Sequence, residues 1–166
     1  MDMNHVQRLI LSNQYDIMAR LDPAQTAHYQ RCKTIVERGY CLQLLELEKD
    51  FGLLHKQVCE EVIATLEMYH ALQVSYDNLP ADSQSELAAN RIQYIGYSRT
   101  DERQLADYVD FLLDTEKRVA DLDLQHKALD AQNTMQGKYQ RMLAIWQQCP
   151  RQYKLSLPEI RNILAA

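Results

Sequence analysis

The sequence predicts an all-α protein, with an N-terminal antiparallel helical hairpin and a multi-helix, orthogonal or bundle-like body organised around one long central helix. Three observations carry this prediction. The 166 residues include only 4 glycines and 4 prolines, few punctuators for a protein rich in turns. Leu, Ala, Gln and Glu dominate over β-branched residues, a composition that favours helix. A helical pattern also runs from Leu53 to Leu79 and stops at Pro80. Counted from Val62 at about 100° per residue, Val58, Cys59, Leu66, Tyr69 and Tyr76 share one side. Gln57, Glu60, Glu61, Ala64, Glu67, Ala71 and Ser75 take the other. Such a helix would be roughly 40 Å long, enough to cross a small domain.

The hairpin comes first. Asn4 can cap a helix reaching to about Arg20, with Val6, Leu9, Ile10, Ile17 and Leu21 on one face. Leu11, Tyr15 and Met18 form a second apolar stripe on nearly the opposite face. Two stripes predict a helix buried on one side and used for association on the other, or one enclosed in a large core. The candidate association residues are therefore Leu11, Tyr15 and Met18. Asp22-Pro23 opens a second helix running to Arg38, and Gly39 suits its left-handed C-terminal cap. The short join predicts antiparallel packing. Residues 1–39 are then one unit and residues 40–166 the helical body.

In the body, a short helix over Gln43–Phe51 ends at Gly52 and the central helix follows at once. Ser83 with Glu86 fits a reciprocal capping box for another short helix, and Ile92–Tyr97 is ambiguous between helix end and extended chain. Thr100 or Asp101 can cap a helix with Leu105, Tyr108, Val109, Leu112 and Val119 on one face; a frayed end and loop follow over Asp121–Asn133. Thr134 caps a helix whose stripe is Met135, Tyr139, Met142, Leu143, Trp146 and Cys149, stopped by Pro150. Ser156 with Glu159 makes a second capping box for a last helix carrying Ile160, Ile163 and Leu164.

Little in the chain points to chemistry. The formal net charge of −5 disfavours polyanionic partners, and no apolar run is long enough to span a membrane. Cys32, Cys41, Cys59 and Cys149 form no CxxC or CxxH pair, and no signal peptide is visible, which fits free thiols in a reducing cytosol. There is no G-x-S-x-G elbow, and no two glycines stand close enough to cradle a phosphate. No cofactor is expected. Glu67 and His70 have the E-x-x-H spacing of a helical metal site, but no second such pair exists. His55 and Gln73 project from the apolar face of the central helix and need hydrogen-bond partners there. Residues 43–66 have the outline of a helix-turn-helix with Gly52 at the turn, which would offer Lys56 and Gln57 to DNA. Glu60 and Glu61 beside them oppose a phosphate backbone. Ten tyrosines against two phenylalanines suit half-buried boundaries and protein interfaces.

Several stretches together resemble the YfbU family of uncharacterised bacterial proteins. They are Gln7–Tyr15, Leu21-Asp22-Pro23, Glu37–Tyr40, Glu67–Leu72, Lys138–Leu143 and Cys149–Tyr153, in matching order from end to end. The match thins around residues 80–93 and 120–132. The resemblance implies a bacterial, cytosolic, all-helical protein with an N-terminal hairpin and a larger body. It carries over no activity, substrate, cofactor or catalytic residue. The expectation is thus a non-enzymatic protein that forms a homo-oligomer or binds an unidentified protein through helix faces. A DNA-binding regulator using residues 43–66 is the alternative, and a metal-dependent enzyme comes third.

Overall fold

The computed structural model describes residues 3–49, 51–117 and 129–166. Among them are eight α-helices and no strand: α1 His5–Leu21, α2 Thr26–Arg38, α3 Cys41–Glu48, α4 Lys56–Asp77, α5 Ala81–Ser85, α6 Arg103–Asp110, α7 Gln136–Trp146 and α8 Leu157–Leu164. A π-helical turn, Phe111–Thr115, continues α6. The protein is all-α. It divides into two compact units, Met1–Leu53 and Leu54–Ala166. The division falls after Leu53 and not after Gly39. The short helix α3 joins the hairpin, where Glu46 pairs with Arg31 of α2 at 3.2 Å.

In the first unit, Asn4 and Gln7 cap each other reciprocally at the start of α1. Asp22 does not cap α2 with its side chain; a 3-10 turn, Pro23–Gln25, precedes the helix. Thr26 instead ties the turn down, its hydroxyl donating to the Ala19 and Pro23 carbonyls. Gly39 closes α2 with φ of +68°, the left-handed conformation that glycine adopts without steric cost. The guanidinium of Arg8 fills the space beside it: a Cβ at position 39 would lie 2.5 Å from Arg8 Nη2.

The second unit is built on α4. From Val62 onward this helix is buried on most sides, including Thr65, Ala71 and Ser75. Ala71 and Ser75 therefore do not face solvent, because small side chains let neighbouring segments approach closely. The Ser75 hydroxyl accepts the buried N–H of Leu155 at 3.1 Å. At the other end Gln84 closes the helix, its Nε2 donating to the carbonyls of Tyr76, Asp77 and Leu79. Ser83 and Glu86 do not form a capping box: Ser83 lies inside α5 and Glu86 follows it, paired with Arg161 at 2.9 Å. Gln93–Tyr97 is outside any helix, Gly96 taking φ of +82°. Val119 and most of Asp121–Asn133 lie outside the described residues.

The last two helices meet different kinds of cap. Ser156 and Glu159 form the expected box on α8. Thr134 does not cap α7; Glu102, far away in sequence, does. Its carboxylate accepts the N–H groups of Met135 and Gln136, both at 2.8 Å, and that of Ser98 at 3.2 Å. A negative charge at a helix N-terminus satisfies orphan donors and complements the dipole. Glu102→Ala should therefore lower the unfolding free energy by about 1–3 kcal/mol, read as a lower urea midpoint with CD detection. An unchanged midpoint would contradict this role.

Candidate functional site

The most unusual surface in the first unit is the outward side of α1. Arg8, Ser12 and Ala19 lie along the side that meets α2. Arg8 Nε donates to the Val36 carbonyl at 2.8 Å and Nη2 to the Glu37 carbonyl at 2.9 Å. Ser12 donates to Glu37 Oε1 at 2.8 Å, and Lys33 of α2 reaches Asp16 of α1 at 2.7 Å. The arginine answers carbonyls that an α-helix C-terminus leaves without intrahelical donors. These polar contacts fix the rotation of α1 about its axis.

That rotation decides which apolar stripe is covered. Leu11 and Tyr15 are half-buried, and burial together with the neighbouring Cys32 thiol raises the Tyr15 pKa. Met18 is exposed at the edge. The row left in water is the other one: Val6 is 66% exposed, Leu9 61%, Ile10 52%, Ile17 55% and Leu21 79%. The signal was present in the periodicity, but the sequence expectation placed association on Leu11, Tyr15 and Met18. What separates the two stripes is their flanking polar residues, Arg8 and Ser12, which need α2.

The other sequence candidates do not converge. α3 ends at Glu48 in the first compact unit and α4 begins at Lys56 in the second. Lys56 pairs with Glu60 at 3.4 Å, and Gln57 donates to Glu61 at 3.3 Å. His55 is not on the apolar face of the central helix; it is exposed and stands just before α4 as its N-cap residue. Gln73 is buried. Glu67 is exposed, and His70 stands edge-on to the Tyr153 ring, with centroids 5.8 Å apart. Among the described residues no group of three His, Cys, Asp or Glu side chains gathers around a common point.

Two features of the second unit join residues far apart in sequence, of which only Tyr69, Met135 and Tyr139 stood on predicted apolar stripes. Tyr69, Tyr94, Tyr97 and Tyr139 are buried together, with ring centroids 5.2–5.7 Å apart. Part of the tyrosine surplus is therefore core. Tyr139 donates to the Gly96 carbonyl at 2.9 Å, while the Tyr94 hydroxyl has no hydrogen-bond partner among the described residues. A cavity of about 230 Å³ opens beside Tyr69, lined also by Met135, Leu164, Arg91 and Lys138. Asn90, Gln93 and Ile95 complete its lining, so it combines cationic, amide and apolar groups.

The described residues form an all-helical protein of two compact units, with an exposed apolar row along α1 in the first of them. The chain belongs to the YfbU family: the YfbU domain model matches residues 1–166, its whole length. No described helix is long and apolar enough to cross a membrane.

Burial pushes the Tyr97 pKa up to about 12 and raises those of Tyr69, Tyr94 and Tyr139 as well. Neutral phenols are favoured in the folded state. Their contribution to stability is complete below the ordinary tyrosine value and is lost as pH rises through the folded values. Alkaline titration followed at 295 nm should show these four ionising only as the protein unfolds, after the exposed tyrosines. Full, reversible ionisation of all ten in the folded protein would contradict this placement.

Proposed function

We propose that the protein is non-enzymatic and works by association, using the outward face of α1 to bind itself or another protein. The single observation that supports this reading is the row Val6, Leu9, Ile10, Ile17 and Leu21, each more than half exposed. A large aliphatic side chain gains roughly 1.5–3 kcal/mol when fully buried, so five left in water on one helix are a standing source of binding free energy. Contiguous patches of this kind mark contact surfaces, whereas isolated exposed apolar residues do not. The reading includes a cytosolic location, which the four free thiols suit.

Sedimentation velocity across micromolar concentrations tests it. The wild-type protein should show concentration-dependent association. Ile10→Glu should associate more weakly while keeping its helical CD spectrum, because the side chain it replaces is half exposed. A wild-type monomer throughout, with the same proteins captured from a lysate by wild type and Ile10→Glu, would overturn the reading.

A further inference from the structure

The outward residues of α1 are arranged symmetrically along the helix. Val6 and Leu21 are equidistant from the point between Asn13 and Gln14, and so are Ile10 and Ile17. At about 100° per residue, these four side chains fall within a sector roughly 60° wide. That sector lies opposite the side from which Arg8, Ser12 and Ala19 meet α2. Asn13 and Gln14 flank it, one on each side.

In an isologous, two-fold contact the same patch of both copies meets itself, and a patch that repeats about its own midpoint then sets like side chains against like. We infer that the occupant of this face is a second copy of the chain, bound through an antiparallel α1–α1 contact. This inference rests on the association reading and names its partner. Ile10 of each copy packs on Ile17 of the other, and Val6 on Leu21. At the axis each carboxamide meets its twin, Asn13 beside Asn13 and Gln14 beside Gln14, where an amide can both donate and accept.

Three further considerations favour this arrangement. The antiparallel orientation sets opposite ends of the two helix dipoles side by side, whereas a parallel pair would join like ends. It also lays the aliphatic stem of Arg20, whose side chain is 83% exposed, along Leu9 of the other copy. Covering the five aliphatic residues removes about 500 Å² of apolar surface from each copy. Asn13, Gln14 and Met18 at the margins bring the contact towards the roughly 800 Å² per partner of a standard interface.

A charge exchange on the full-length protein tests the pairing. Ile10→Glu and Ile17→Lys should each weaken self-association by more than about tenfold, since each places an unpaired charge in the seam. The double variant should recover most of the wild-type affinity and become salt-sensitive, because the carboxylate introduced at position 10 of one copy then faces the ammonium introduced at position 17 of the other. In a parallel pair the double variant would set like charges together and stay monomeric. Far-UV CD and melting curves confirm that each variant is folded. A wild-type dimer whose double variant associates no better than the single ones would overturn the register and leave the association reading standing. Single variants that dimerise like wild type would remove α1 as the interface. A wild-type protein that is monomeric throughout would overturn the pairing, and the association reading with it if Ile10→Glu then captures the same proteins from a lysate as wild type.

Discussion

The contact on which the first unit depends is that of Arg8 with the C-terminal end of α2. Its guanidinium meets the Val36 and Glu37 carbonyls at 2.8 and 2.9 Å and lies against Gly39, where φ is positive and a side chain would collide with it. Hydrogen bonds from a charged donor are worth about 1.5–3 kcal/mol each, and less where water competes. A half-turn of α1 would bring Ile10 and Ile17 against α2, but it would strand Arg8, Ser12 and Asp16 away from their partners. The hairpin therefore satisfies its polar groups and leaves its larger apolar stripe outside. A large aliphatic side chain left in water forgoes up to roughly 1.5–3 kcal/mol of burial free energy. The arrangement makes physical sense if that stripe is covered in the working protein.

The second unit solves a different problem. Its long helix α4 is enclosed so fully that Ala71 and Ser75 are buried along with Leu66, Met68 and Leu72. Around Tyr69 the core is closed by three further tyrosines, which add area but also hydroxyls that need partners. Tyr139 finds the Gly96 carbonyl, a contact made possible by a backbone turn with positive φ. Glu102 joins the same region to the start of α7, so the stretch leading into α6 and the beginning of α7 share a single carboxylate. These are groups whose work is structural.

The helices themselves were legible in the sequence because their periodicity is local. So were the caps formed within four residues: Asn4 with Gln7, Ser156 with Glu159, and Gly39 after α2. Caps supplied from elsewhere were not. Glu102 stands 33 residues from Met135, and Gln84 reaches back across a turn to the end of α4, so neither pattern is visible in a window. Small residues misled in the other direction, since Ala71 and Ser75 look like a solvent face until a neighbour is known to approach. At α1 both stripes were legible, but not which of them α2 leaves exposed. The deciding residues were polar ones, Arg8 and Ser12, whose partners lie on α2. Periodicity locates an apolar face, but long-range polar contacts determine which face is inside.

The rotation of α1 in the hairpin is the claim on which the rest depends, and proton–proton contacts in the folded protein measure it directly. A mixed-isotope sample separates contacts within one chain from those between chains. Within one chain, the account predicts nuclear Overhauser contacts from the Tyr15 ring to Cys32. It predicts none from the Ile10 or Ile17 methyl groups to any proton of Thr26–Arg38. Intrachain contacts between either isoleucine and α2 would contradict it.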